Sequence, residues 1–338
     1  NIVIREYPDK YADLSYGYES FNTHKAQGVF KRNLKARGLV FGIGGGYTTS
    51  DNNYTFDSPY REGLRITRNH DKYRKYIVGG SFKAKKWWFD EVEFEPVVVK
   101  TYKEIQGIEY DIREAHSESL MAGLANKLAK DNFLTEGLNL DMFSGVVLTQ
   151  MNFIDKATRR YEWDGSSYPT PSRYGGEVGY NFPSDSDDQK LSFINKTNLE
   201  YIINERHSFN FNSVLSVAEG TPKDELKTRS LGKQVNFDSH MHSWVSGLTY
   251  DLRSLNDIFL NSLTVRYYQY TMHTQMAPLF VPGKYDVDLE KNNWGVNNAL
   301  RYRFLPSLMG KLSAGYEVRI PSENELLGDG ISVVPSAD

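Results

Sequence analysis

The chain has 338 residues, with 40 Lys+Arg against 43 Asp+Glu for a formal net charge of -3, and no cysteine. That balance lacks the basic excess needed to wrap a phosphate backbone, and the missing thiols exclude a disulfide scaffold and a thiolate metal site. No apolar run approaches the ~20 residues of a membrane helix, whereas an aromatic share of 14% with 23 Tyr suits pleated, half-buried surfaces and points to an all-β protein.

The first residues, NIVIREYPDK, carry no charged-then-apolar signal-peptide pattern. From Leu39, LVFGIGGGYTTSD puts Leu39, Phe41, Ile43 and Tyr47 on one face of a strand. Its glycines lie within the strand rather than between strand and helix, which argues against a phosphate loop and for a bend or a close approach. In EVEFEPVVVK, Glu91, Glu93 and Glu95 oppose Val92, Phe94 and Val98, as one wet and one greasy face would. The same alternation recurs in NLEYIIN (Leu199, Tyr201, Ile203), HSFNFNSVLSV (Phe209, Phe211, Leu215, Val217) and SWVSGLTYDL (Trp244, Leu248, Tyr250, Leu252). In NNWGVNNALRYRF, Trp294, Val296, Leu300, Tyr302 and Phe304 alternate with Asn293, Asn297, Arg301 and Arg303. So many amides and charges exclude a dry sandwich core.

The pattern predicts roughly thirteen strands between Asp13 and Arg319, each of about ten residues, which at ~45° tilt project to roughly 23 Å, near the apolar band of an outer membrane. Short joins near 35–38, 85–88, 204–207, 253–257 and 305–307 alternate with long ones over about 51–72, 103–117, 155–189, 219–240 and 272–291, with an intermediate turn near 130–137. Short turns at one end and long loops at the other are the plan of an outer-membrane barrel, turns in the periplasm and loops outside. Trp87 and Trp88 at a short turn, and Tyr47, Tyr250, Tyr267 and Tyr268 nearer other strand ends, fit interfacial aromatic girdles. The expected fold is an all-β transmembrane antiparallel β-barrel. An odd strand count leaves two free edges, which lipid does not tolerate, so the expectation is part of a larger barrel.

The segment RIPSENELLGDG resembles the Arg-x-Pro-x-x-x-Glu-Leu-x-Gly signature of TonB-dependent outer-membrane receptors, at Arg319, Pro321, Glu325, Leu326, Gly328 and Asp329. SYGYESFNTHKAQ, YTTSDNNYTFD and RRYEWDGS are similar to receptors of this class from Bacteroides-type bacteria, and the resemblance covers nearly the whole chain. It implies a barrel of about 22 strands closed by a separate N-terminal plug, in the outer membrane of a Gram-negative cell. It further implies import of a scarce nutrient (an iron siderophore, haem, cobalamin or a glycan) driven through an inner-membrane TonB complex, with a surface lipoprotein as a possible cap. Neither a TonB box, nor a plug, nor a C-terminal aromatic insertion signal is found in the sequence. The expectation is one barrel domain over 1–338, holding its N-terminal and middle strands.

No nucleophile–base or metal constellation is visible, so neither an enzyme nor a cofactor is expected. Tyr161, Trp163, Asp164 and Tyr168 in the longest loop are ligand-contact candidates, because rigid aromatic rings give large contact area at low entropy cost; loop self-packing is the alternative. Arg301, Arg303, Glu317 and Arg319 are candidates for lumenal ion pairs with a plug. His240, His242 and His273, with Met241, Met272 and Met276 near them, form a weak candidate for copper or haem iron; solvated loop-edge histidine is the alternative. At the chain's end, Tyr316, Val318 and Ile320 are expected to face lipid, with Pro321 ending the ladder. Two rival readings share much of this pattern: a passive porin-like barrel, and a soluble extracellular β-protein that holds carbohydrate through aromatic residues.

Overall fold

A computed structural model describes residues 8–85, 87–178, 183–254, 258–277 and 283–320. The alternating segments become thirteen strands: β1 (Lys10–Glu19), β2 (Thr23–Leu34), β3 (Leu39–Ser50), β4 (Tyr73–Lys85), β5 (Glu91–Glu104), β6 (His116–Lys130), β7 (Leu138–Asp155), β8 (Asp188–Ile202), β9 (His207–Thr221), β10 (Ser239–Ser254), β11 (Phe259–Met276), β12 (Tyr285–Leu305) and β13 (Leu308–Tyr316). They pair antiparallel in chain order, and Ser184–Asp185 adds a short fourteenth beside the loop end of β7. The sheet is open, with β1 and β13 at its edges among the described residues. Among the described residues no helix is long and apolar enough to cross a membrane.

The two faces divide as the period of two demands. On one face Leu14, Ile43, Val78, Leu148, Trp294 and Leu312 stand exposed, Leu14 at 90%. A row of large apolar side chains left in the open over a whole sheet marks a surface whose solvent is not water. The opposite face is polar and paired across strands: Lys83 Nζ reaches Glu91 at 2.8 Å and Glu93 at 3.4 Å, and Thr249 and Thr264 share a 2.9 Å hydrogen bond. The acidic alternation of β5 is therefore an ion-paired inner wall.

Register shows how the strands lean. The hydrogen-bonded row that starts at Leu14 in mid-β1 passes through Gly28, Gly45, Val78, Val98, Ala122, Leu148 and Leu191, and reaches Glu219, His240, His273 and Asp288. One row perpendicular to the strands thus begins among apolar residues and ends among charged ones, so the strands are tilted to the apolar belt. Later strands must then extend beyond it. Strand lengths span 9 residues in β13 to 21 in β12, rather than about ten throughout, and the 18 residues of β11 and 21 of β12 are the ones that outreach the belt. At ~3.3 Å per residue and ~45° tilt, β12 rises roughly 49 Å, about twice a ~25 Å apolar band.

Three further expectations are corrected. The expected connection over 272–291 is mostly strand: β11 and β12 stay paired up to Met276↔Tyr285, and polar side chains continue the ladder, His273 to Asp288 at 2.7 Å and Gln275 to Asp286 at 2.6 Å. Tyr268 lies on the inner face and is 7% exposed, because adjacent residues of a strand point oppositely and Tyr267 holds the outer position. Among the described residues the last ladder pair is Val296↔Tyr316, so pairing ends short of Ile320, which turns inward to pack against the pair Tyr270 and Met272, as Met241 and Leu289 also do, instead of facing lipid; Pro321 lies outside the described residues.

At the short-turn end, neighbouring hairpins are stitched by main-chain bonds: Lys85 N–H donates to Gly38 O at 2.7 Å and Ile202 N–H to Gly137 O at 2.8 Å. Both glycines have left-handed φ, 63° and 81°, and a Cβ at either would sit 2.3 Å from a carbonyl oxygen of the facing strand. Only glycine fits there. Gly137→Ala is expected to destabilise the fold by about 2 kcal/mol or more, and Gly17→Ala, with open space at its Cβ, by less than about 0.5 kcal/mol. Urea midpoints of the closed barrel folded in detergent check this.

Candidate functional site

Beyond the last ladder bonds the loop backbone still needs partners, and buried carboxylates supply them. Glu177, 1% exposed in the loop 156–187, accepts the N–H of Arg113 (3.1 Å), Glu114 (2.6 Å) and Ala115 (2.8 Å) from the loop 105–115. Asp155, also 1% exposed, accepts the N–H of Glu177 (2.7 Å) and Val178 (2.9 Å). Each loop then gives the other an arginine over a tyrosine: Arg113 stands 3.8 Å from the Tyr161 ring centre and Arg160 4.5 Å from Tyr110.

The loop 51–72 joins them, as Asn69 donates to Asp111 at 2.7 Å and the Gln106 side-chain Oε1 accepts the N–H of Asn69 and His70 at 3.0 and 3.2 Å. Its hairpin tip adds an ion pair from Arg61 to Glu162. In the loop 222–238, Asp224 caps the helix Glu225–Leu231 at the Lys227 N–H (2.8 Å) and accepts the Ser184 hydroxyl at 2.6 Å. Four loops therefore form one tied cap at one end of the barrel wall.

The loop candidates sit together on a hairpin, Arg159–Tyr161 with Ser167–Pro169. Tyr161 lies under Arg113, Trp163 Nε1–H donates to Ile108 O at 3.1 Å, and Tyr168 Oη–H donates to Glu162 at 3.2 Å. Asp164 turns the tip by accepting the Ser166 N–H at 2.8 Å, and the bonds from Ser166 hold its carboxyl below the usual carboxylate range. Burial, with Glu162 beside it, pushes the Tyr168 phenol up. Glu177, Arg113 and Arg160, which hold this hairpin in place, have no sequence signal that separates them from solvated loop charges.

Arg301 and Arg303 lie on the inner face of β12, and Glu317, just beyond β13, pairs with inner-face Arg266. Arg319 is described, while Pro321, Glu325, Leu326, Gly328 and Asp329 of the signature lie outside the described residues. A hollow of about 920 Å³ lies over the inner wall, lined by Gln27, Lys31, Gly44, Gly79, Lys83 and Glu93 among others.

His240 and His273 are cross-strand partners on the outer face, and His242 shares that face. Met241 and Met272 pair on the inner face, with Met272 0% exposed. Alternation thus separates imidazole from thioether, and the mixed ligand set does not form. His273 Nδ1 instead meets Asp288 at 2.7 Å. Among the described residues no group of three or more His, Cys, Asp and Glu is placed to hold a metal ion.

At the same end, β1 and β2 join through only three residues, 20–22, where every other loop-end connection is longer. Phe21 and Asn22 there, and Asn52 beside them, have φ of 62°, 53° and 48°. Asparagine tolerates this region, but a bulky ring does not favour it. The turn is held from both sides: Asp51 N–H donates to Phe21 O at 3.0 Å, the Asn22 amide to Asp51 at 2.8 Å, and Asn52 to Asp71 O at 3.0 Å.

No family model matches the chain, and no curated protein matches it. Solved structures do. The siderophore receptor PiuA from Acinetobacter baumannii has a TM-score of 0.57 at 8% identity, over 88% of this chain and 48% of that one. For the ferric yersiniabactin uptake receptor FyuA from Yersinia pestis the values are 0.56, 10%, 89% and 46%. The hemophore receptor HasR of Serratia marcescens, solved with its hemophore HasA and heme, gives 0.54, 12%, 94% and 46%. The chain has the fold of TonB-dependent receptor barrels. It spans about half the length of the receptors it matches.

Two outcomes test the cap of this receptor-type barrel. Glu177→Gln keeps one acceptor and aims an NH₂ at N–H donors, so the 113–115 amides should exchange hydrogen about a hundredfold faster, from a loss of about 3 kcal/mol. Asp51 is held below the usual carboxylate range by the Asn22 amide first, then by Lys72. A depressed folded pKa means its contribution is present above ~4 and is lost as pH falls through the folded value. NMR titration should show the Asp51 midpoint below that of an unfolded Asp, returning toward it in Asn22→Ala.

Proposed function

We propose that this chain supplies the N-terminal and middle strands of a TonB-dependent outer-membrane receptor that imports a scarce nutrient, and that it is not an enzyme. The observation that carries the reading is one continuous wall: an apolar outer face, an ion-paired inner face and tied loops at one end only. Open edges at β1 and β13 have to be paired in lipid, so further strands close the barrel. A plug fills the lumen against Arg301, Arg303, Glu317 and Arg319, and carries the contact with the TonB complex. The stretches quoted above bring the Bacteroides-type resemblance into this reading, with a surface lipoprotein as a further partner over the loops.

Ligand capture belongs to the cap, with Tyr168, 37% exposed, Tyr161, Trp163 and Asp164 at its hairpin. An iron siderophore or haem is supported by what the matched receptors are named for, with cobalamin or a glycan as the other members of the class. The loop pattern alone is shared with a passive porin, and energy dependence separates the two. In cells carrying the intact receptor, uptake of radiolabelled ferric siderophore or haem is expected to stop on adding a protonophore. Uptake that continues at the same rate identifies a passive barrel and overturns the reading.

A further inference from the structure

Above the apolar belt, the outer face of the later strands carries a row that nutrient uptake leaves unused. Glu219 of β9, His240 of β10, His273 of β11 and Asp288 of β12 are successive cross-strand partners, so an acid, two imidazoles and an acid stand side by side. Both histidines have a ladder partner on each side. Strands that close the barrel add at the sheet edges and not over them. His240, His273 and Asp288 line a hollow of about 500 Å³, together with Asp286 of β12 and Asn236 and Asp238 of the loop 222–238. No lysine or arginine among the described residues lines it, so its field favours a cation.

The orientation of the rings decides which cation. His273 Nδ1 stands 2.7 Å from a carboxylate oxygen of Asp288, and an ionised carboxylate only accepts, so Nδ1 carries the proton and the lone pair of the neutral ring is at Nε2. His240 turns its own Nδ1 the other way, toward Glu219 at 3.9 Å. Neither Nε2 has a hydrogen-bond partner among the described residues. Side chains directly opposite on a ladder have Cβ atoms about 5 Å apart, near enough for two Nε2 atoms to share one ion at ~2.1 Å each. A carboxylate behind a ligating imidazole fixes its tautomer and makes it a better donor. The bond from His273 to Asp288 alone would be an ordinary cross-strand pair. A second imidazole opposite, backed by an acid on its far side, is what exceeds that.

We propose that His240 and His273 clasp a divalent late transition-metal ion such as Zn²⁺ through Nε2 of both rings, with Asp288 and Glu219 holding the rings and water filling the remaining positions. Imidazole pairs suit such ions, whereas Ca²⁺ takes six to eight oxygens that two nitrogens do not supply. With two protein ligands and no third in place, the ion is exchangeable. Bound there, it links four strands through their side chains at the loop end of the wall. The clasp does not depend on energised uptake; a passive barrel would keep it.

Calorimetric titration with Zn²⁺ of the intact receptor, folded in detergent, stripped of metal and held above the imidazole pH range, is the test. A saturable site weakened at least tenfold by His240→Gln and by His273→Gln is the expected result. Asp288→Asn, which leaves both ligands in place, should weaken it about tenfold as well, and an equal concentration of Ca²⁺ should not displace the zinc. Absence of saturable binding overturns the proposal, as does a site that either histidine substitution leaves unchanged. Displacement by Ca²⁺ would show a carboxylate site and overturns it too. Unchanged affinity in Asp288→Asn overturns the carboxylate-backed clasp.

Discussion

The structure depends on one constraint: each main-chain N–H and C=O on a wall that faces lipid needs a partner inside the protein. An antiparallel ladder in strict chain order meets it with the shortest connections, and β1 to β13 follow that order without a crossing. Neighbouring hairpins are joined even between turns, at Gly38 and Gly137, where the backbones approach too closely for a Cβ. Chain outside the ladder is confined to the two ends. The candidate residues carried on loops are therefore at an end.

Where the ladder stops, the same demand passes to side chains. Glu177 offers its carboxylate to three successive N–H groups of another loop, the role a neighbouring strand fills lower down. Asp155, the last residue of β7, does the same for the backbone at Glu177 itself. The sheet thus anchors the loop and the loop anchors the next, so the cap inherits its position from the register of β7. Charge-assisted bonds to buried carboxylates are stronger than neutral ones, which lets few residues hold long loops.

Strand count, facing and the loop end were legible because alternation is a local signal, as in Trp294, Val296 and Leu300 against Asn293, Asn297 and Arg301. Strand ends were not. Residues 272–291 read as loop because they are polar, yet above the apolar belt both faces of a strand are wet and polarity no longer distinguishes strand from loop. The histidine–methionine grouping failed for a related reason: proximity in sequence brought 240–242 together, and the pleat separated their side chains. Of the candidate site, the hairpin residues 161–168 were legible as aromatic loop content. Their anchors were not, since Glu177 differs from a solvated glutamate only by what surrounds it.

The two loop-end structures are fixed in place by different means. The cap loops are fixed to one another mainly by side chains, so a change in one contact is passed among them. The turn at 20–22 is fixed to the ladder: Ser50, the last residue of β3 and 5% exposed, bonds Thr23 at 2.7 Å and donates to Phe21 O at 3.3 Å. A ring placed there is set by strand register and not by loop packing, and its backbone strain persists because the ladder over-determines the turn.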